Sequence, residues 1–350
     1  MLDFDPNSAP DADGGVFGLP HREKDAALVL VPVPWEATTS YGGGTSRGPA
    51  AILEASAQID LYDAEVHRPY EPGIFMSPES KEVRAWNKAA KAAAQKIIKV
   101  GGRIGGNKSL QKALKTTNDL GSTLNDWVYR ETKRLLDQGK IVGLVGGDHS
   151  IPYGGFRAAA DKFGEYGLLH FDAHSDTRVA YEGFTWSHAS IMYNALETIP
   201  QITRITQVGI RDFCEQEHEF TRALGSRAKV FYDRDLTARR FAGESWTKIA
   251  TEIIETLPPQ VWISFDIDGL DPKLCPHTGT PVPGGLELAE AVHLIGLVAR
   301  SGRTIIGFDL NEVSSAPDGK NEWDANVGMR LLYKLAAWTM VSRGLRKVRE

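Results

Sequence analysis

Leu168-Leu169-His170-Phe171-Asp172-Ala173-His174-Ser175-Asp176 begins as an apolar run and ends with metal-capable side chains at every second position. Successive side chains of a strand point to opposite faces, so a strand continuing through this stretch projects Asp172, His174 and Asp176 from one face. Two further stretches repeat the arrangement. Ile141-Val142-Gly143-Leu144-Val145 leads into Gly146-Gly147-Asp148-His149, and Val261-Trp262-Ile263-Ser264-Phe265 leads into Asp266-Ile267-Asp268. Apolar runs of this length, bounded by Gly or Pro, suit central strands of a parallel sheet covered on both faces. In such sheets ligands gather just beyond the carboxyl ends of the strands. Three strand ends therefore deliver two histidines and four aspartates to one place.

That inventory exceeds the needs of one cation. It suits two divalent ions held about 3.5–4 Å apart with carboxylates spanning both. Histidines among the oxygens favour Mn, Ni, Co, Zn or Fe over Ca or Mg, without choosing among them. Each fragment alone is ordinary, since a DxD after a strand is common and GGDH also describes a turn with a helix cap. The argument lies in their order, each behind its own strand.

Outward from these motifs the chain alternates strands and helices. Strands read at 26–34, 205–210, 229–232 and 304–310, and helices at 50–61, 152–163, 246–257, 287–301 and 326–343. Such alternation means βαβ units and a parallel sheet. The fold class is α/β, a three-layer α/β/α arrangement around a central, mostly parallel sheet. Residues 1–25, rich in turn formers, read as an N-terminal arm, and 26–350 as a single domain. Within it, residues 74–138 are Lys- and Ala-rich with helical spacing at 83–100 and 123–136, which reads as a helical insertion. The Gly-rich loop from Thr38 to Gly48 lacks the order of a phosphate-binding loop and reads as a wall of the site's mouth.

With 42% hydrophobic residues, 24% charged residues and a net charge of −5, the composition is that of an ordinary soluble protein. Basic residues are scattered, so no nucleic-acid partner is expected. No run is apolar and long enough to span a membrane, and the first 20 residues hold no signal-peptide core. Cys214 and Cys275 lie far apart, a usage that fits a cytoplasmic location.

The order Gly146 to His149, Asp172 to Asp176 and Ser264-Phe265-Asp266-Ile267-Asp268-Gly269-Leu270-Asp271-Pro272 resembles the ureohydrolase superfamily, which includes arginase, agmatinase and formimidoylglutamase. The resemblance implies a dinuclear centre, usually Mn, that hydrolyses a guanidinium or amidine group, in chains that assemble as trimers or hexamers. It implies one ion on His149, Asp172, Asp176 and Asp266, and a second on Asp172, His174, Asp266 and Asp268, so that Asp172 and Asp266 bridge. It also assigns His188 to proton handling and Glu312 to guanidinium binding, and counts Asp176 with them among the catalytic residues. On position alone, His188 reads as a core or surface histidine and Glu312 as a cap or ion-pair residue.

The run from Thr177 to Trp186 departs from the arginase and agmatinase patterns. With Trp35 and the loop Tyr41 to Pro49, it is similar to a branch containing nickel-dependent guanidine hydrolases and metformin-type biguanide hydrolases, the latter built of two related chains. Bulky rings at Tyr181, Phe184 and Trp186 imply a short pocket whose π faces meet a cation, with plain packing the alternative for Phe184. Glu312, His188, Tyr181 and Trp186 are then the substrate-binding residues. The substrate expected is a small cationic guanidino compound: guanidine, or a small substituted guanidine or biguanide. An agmatinase or guanidino-acid hydrolase is the alternative, and an assembly partner of a catalytic homologue is a reading of another class. Two divalent ions, Ni or Mn, and a homo-oligomer or a hetero-oligomer with a related chain complete the expectation.

Overall fold

Eight strands carry the architecture. The computed structural model describes residues 4–9, 14–316 and 319–349. Its strands are β1 (Leu28–Val33), β2 (Ile74–Met76), β3 (Ile141–Gly146), β4 (Tyr166–Phe171), β5 (Ile202–Ile210), β6 (Ala228–Tyr232), β7 (Gln260–Asp266) and β8 (Thr304–Asn311). They form one sheet in the order β2-β1-β3-β8-β7-β4-β5-β6, and every pairing is parallel. The helices are α1 (Gly48–Ser56), α2 (Lys81–Ile98), α3 (Lys108–Asp137), α4 (Tyr153–Phe163), α5 (Ile191–Thr198), α6 (Glu215–Ala223), α7 (Asp233–Phe241), α8 (Trp246–Glu255), α9 (Leu288–Arg300) and α10 (Trp323–Ser342).

Strand alternation sorts the core into two layers. On β1, Leu28 and Leu30 join one apolar cluster with α1, α8, α9 and α10. Val29, Val31 and Val33 face the other way, into a cluster with α3, α4 and α5. Both faces of β1, β3 and β4 are buried throughout, which is why these strands read as unbroken apolar runs. Two strand glycines make room for rings: a Cβ on Gly143 would come within 2.4 Å of Phe308, and one on Gly307 within 2.4 Å of Trp262.

Several boundaries differ from the sequence reading. β4 stops at Phe171, so Asp172 to Asp176 do not continue a strand, and Asp176 turns through a left-handed φ of 56°. Beyond β4 only His174 keeps a bridge, to Asp212. Residues 74–76 are strand β2 on the sheet edge, so the helical segment proper begins at α2. Of the arm, residues 1–3 and 10–13 lie outside the described residues. Val16, Phe17 and Leu19 are buried, with Phe17 edge-on to Tyr333 at a ring separation of 5.0 Å.

Candidate active site

The four central strands, β3, β8, β7 and β4, end side by side. Beyond β3 stands His149, beyond β4 the segment Asp172 to Asp176, at the end of β7 Asp266 and Asp268, and beyond β8 Glu312. Parallel strands place all these ends on one edge of the sheet, which brings together residues up to 163 positions apart, such as His149 and Glu312. Two overlapping groups of ligand atoms result. His149, His170, Asp172 and Asp176 form one, and Asp172, His174 and Asp268 the other, with Asp172 common to both. Asp266 borders the first group, 3.3 Å from His149 Nδ1.

The hydrogen bonds around His149 fix its tautomer. Ser264 donates its hydroxyl to Asp309 Oδ1 at 2.8 Å, so it accepts from His149 Nε2, also at 2.8 Å. The Nδ1 lone pair then faces Asp172 at 3.0 Å, Asp266 at 3.3 Å and Asp176 at 3.6 Å. A lone pair surrounded by carboxylates, all buried, is repulsive unless a positive charge sits among them. The donor set therefore fits a divalent cation at each of the two groups. His149, Asp172, Asp176 and Asp266 would hold one, and Asp172, His174, Asp266 and Asp268 the other.

His170 is a residue the sequence reading passed over. Gln207 donates through Nε2 to His170 Nδ1 at 3.0 Å and to the Ser175 carbonyl at 2.8 Å. His170 therefore carries its proton on Nε2 and donates to Asp172 Oδ2 at 2.9 Å. The available signal was the position of His170 near the end of β4, two residues before Asp172. Such outer partners orient a ligand, and losing one costs about 10–100-fold in metal affinity. Gln207→Leu is expected to weaken binding by that factor in a chelator competition titration; unchanged affinity would leave the His170–Gln207 pair without this role.

Electrostatics in the metal-free protein carry the same signature. Burial, then neighbouring carboxylates, hold Asp176, Asp266 and Glu312 well above the usual carboxylate range. Burial pulls His149 and His174 down, but the surrounding aspartates outweigh it: His149 lies well above its usual value and His174 is pushed up to about 12. Burial works against Asp172 as well, yet His149, His170 and His174 hold it low. Groups raised in the folded state stabilise below their unfolded pKa and lose that contribution as pH rises through the folded one. His170 and His188 are lowered, so their contribution is complete above about 6.5 and lost only on acidification. Above that pH only the falling terms act. The chelated protein is expected to unfold at steadily lower temperature from about pH 6.5 to 8.5, and the metal-loaded protein to show a flatter profile, both by scanning calorimetry. Equal slopes would mean that these groups do not meet a cation.

Glu312 adopts φ 62°, a strained conformation for a residue with a side chain. Its amide donates to the Gly147 carbonyl at 2.8 Å, and Thr278 Oγ1 donates to its carbonyl at 2.8 Å. Oε1 accepts from the His149 amide at 3.0 Å. Oε2 is buried without a partner, beside Gly279. His188 likewise has a buried, unpartnered Nδ1, although the residue as a whole is partly exposed. Burial, reinforced by the charge of His174, pushes it down to about 4.

The aromatic residues occupy different places, and for Phe184 the packing alternative holds. Trp35 is a core side chain, not a ring at the mouth. Phe184 is fully buried among Ala93, Ala94, Ile97 and Ala113 of α2 and α3. The Trp186 indole donates to Ser122 of α3 at 2.8 Å and tilts against Tyr153, 4.7 Å away. Tyr181 has Arg178 over its ring at 5.0 Å, so one π face already meets a cation from the chain itself. The ring partners of Trp186 are Ser122 and Tyr153, and that of Tyr181 is Arg178. The Gly-rich loop after Trp35 does run beside the site: the Gly42 amide bonds the Gly279 carbonyl at 3.2 Å.

A family model described as the arginase family matches residues 26–337. The chain belongs to the arginase family. This arginase-family chain is 32% identical over 310 residues, 87% of its length and 88% of the relative's, to N(1)-aminopropylagmatine ureohydrolase of Thermus thermophilus. It is 31% identical over 317 residues, 89% of each chain, to agmatinase of Proteus mirabilis. Among solved structures, proclavaminate amidino hydrolase from Streptomyces clavuligerus superposes with TM-score 0.71 at 22% identity, covering 96% of this chain and 99% of that one. Trypanosoma cruzi formiminoglutamase with Mn2+2 gives TM-score 0.68 at 14% identity, covering 91% and 95%. The arginase-like α/β fold is thus established, and the chain is an enzyme, a metal-dependent amidinohydrolase of the ureohydrolase class. Among the described residues no helix of this arginase-family chain is long and apolar enough to cross a membrane.

Proposed function

We propose that this enzyme hydrolyses a C–N bond of free guanidine, or of a small substituted guanidine or biguanide, releasing urea and ammonia or an amine. Guanidinium plus water gives urea plus ammonium, so charge and atoms balance. The observation that carries the guanidinium part is the unpaired Oε2 of buried Glu312. A carboxylate oxygen with no partner in a buried site is completed by a cation that brings N–H donors.

The guanidinium carbon is a poor electrophile because its charge is spread over three nitrogens. Two divalent ions, Ni or Mn, when bound lower the pKa of water and supply the nucleophile near neutral pH. Glu312 holds the planar cation by charge-assisted bonds and fixes the carbon in place. His188 is neutral at that pH, so its Nδ1 accepts the proton given up by the attacking water and passes it to the departing amine.

A compact substrate is supported by Arg178, on the loop between Asp176 and His188. Its guanidinium already covers one face of the Tyr181 ring and pairs with Glu217 at 3.5 Å, which closes that ring face to a substrate's tail. The second reading, a tailed guanidine such as agmatine, is favoured by what the relatives are named for. The test is urea release by protein loaded in parallel with Ni and with Mn, from guanidine, metformin, agmatine, arginine and guanidinobutyrate, with metal per chain measured on the same samples. Turnover of guanidine or the biguanide at least about ten-fold above the tailed compounds, a transition-state difference of roughly 1.4 kcal/mol, is the expected result. Preference for agmatine would replace the first reading by the second, an empty and inactive chain would support the role of assembly partner, and fully loaded but inactive protein would point to a missing partner chain.

A further inference from the structure

Helices α2 and α3 contribute no residue to the chemistry above, yet together they grip both loops that border it. From α2, Asn87 accepts the Glu36 amide at 2.9 Å, and Lys91 pairs with the Glu36 carboxylate. The second oxygen of that buried carboxylate accepts the Gly44 amide at 2.7 Å and the Ser46 amide at 3.0 Å. This pins residues 44–46, next to Ser314 on the segment after Glu312.

From α3, Asn118 clasps the opposite loop with both ends of its amide. It donates to the Gly183 carbonyl at 3.3 Å and accepts the Thr185 amide at 3.1 Å. Four residues further along α3, Ser122 accepts the Trp186 indole, and Gly121 leaves the space that ring fills, since a Cβ there would lie 3.0 Å from it. Phe184 is the plug between the two helices. On the turn that joins them, Gly102 approaches Glu182 so closely that a Cβ would lie 3.0 Å from its Cα. Glu182 is itself held at φ 54°. The loop so fixed leads directly into Ser187 and His188.

We infer that the α2–α3 hairpin sets the size of substrate this site accepts: by holding residues 44–46 and 183–186 at once it fixes the aperture between them. Asn118 and Lys91 are its positioning residues, acting through the loops and not on the substrate. The inference rests on the proposal above for where the guanidinium group lies. Loosening either loop widens the mouth, which costs a compact cation its orientation and relieves a long-tailed one of a steric barrier.

The test uses the full-length, metal-loaded enzyme and compares Asn118→Ala and Lys91→Met with Lys115→Ala. Lys115 lies on the exposed face of α3, paired with Asp119. Two readouts are taken: amide exchange of the loops, and the ratio of kcat/KM for agmatine to that for guanidine, replaced by the ratio of calorimetric Kd values if neither turns over. Asn118→Ala is expected to speed exchange at Thr185 at least ten-fold and to raise the ratio at least ten-fold, chiefly through loss on guanidine. Lys91→Met should do the same with Gly44 and Ser46 as the exchanging amides, and Lys115→Ala should do neither. Equal loss on both substrates, or faster exchange with an unchanged ratio, would reduce the hairpin to a structural support and overturn the inference. Wild-type preference for agmatine overturns the compact-substrate proposal instead, and the hairpin inference then stands or falls on whether the ratio still moves in Asn118→Ala. Asn118→Ala decides the matter alone if Lys91→Met does not fold.

Discussion

Asp172→Asn is expected to strip both metal positions at once. Asp172 is common to both groups of ligand atoms, and with Asp266 it would be shared by the two ions. Its Oδ2 lies 3.0 Å from His149 Nδ1 and its Oδ1 3.5 Å from His174 Nδ1. Asparagine keeps the shape but removes the charge shared by both positions, and one end of its amide becomes a donor. Bound metal should fall from two ions to less than one per chain after desalting, and urea release by about 10,000-fold or more, as for the loss of one member of a unit that acts together. Asp176→Asn, a ligand in one group only, should retain the other ion. Two ions retained by Asp172→Asn would mean that the groups do not share this residue.

Glu312→Gln should separate binding of substrate from binding of metal. Glutamine still accepts the His149 amide, now bonded at 3.0 Å, and leaves the ligands untouched, so metal content should not change. The Oε2 position then carries an uncharged NH2 donor, which cannot accept a hydrogen bond from a guanidinium. Removing one partner of a buried charged pair costs about 2–5 kcal/mol, so kcat/KM should drop by about 1,000-fold. The same change removes a carboxylate that Asp266 and Asp148 crowd, and the metal-free protein should melt several degrees higher. Stability gained where activity is lost marks a residue kept for function at a structural cost. Activity within about three-fold of wild type would assign the guanidinium contact elsewhere.

The strands that matter most were legible, because a strand buried on both faces has no choice but to be apolar throughout. β3, β4 and β7 announced themselves in this way, and the polar residues at their ends marked the edge where ligands gather. The grouping of Asp172, His174 and Asp176 was reached through a strand that does not extend so far. A left-handed turn at Asp176 brings them together instead, and aspartate accepts that conformation without leaving a pattern in the sequence. β2 has only three residues, too few for any period to show. Helices α6 and α7 were missed because each buries only two of its nine residues, so no apolar stripe shows. Ring-bearing residues were the least legible: composition says that Trp35, Phe184 and Trp186 bury area, but whether a ring meets a ligand or a helix depends on contacts tens of residues away, such as Trp186 with Ser122. His170 was overlooked because the partner that fixes its tautomer, Gln207, lies 37 residues downstream.

The sheet order has a consequence for how the enzyme is made. β3 and β4 follow one another in the chain but are not neighbours: β8 and β7, synthesised last of the strands, lie between them. A ribosome that has released everything through α6 has therefore produced His149, Asp172, His174 and Asp176 on two strand edges with no partner to join them. Loop closure over more than a hundred residues must precede the pairing of β3 with β8. Until then the nascent chain exposes two apolar edges, the kind of surface that invites chaperones and self-association. The two groups of ligand atoms are joined only once β8 has paired between β3 and β7, so capture of a metal pair would report closure of the sheet.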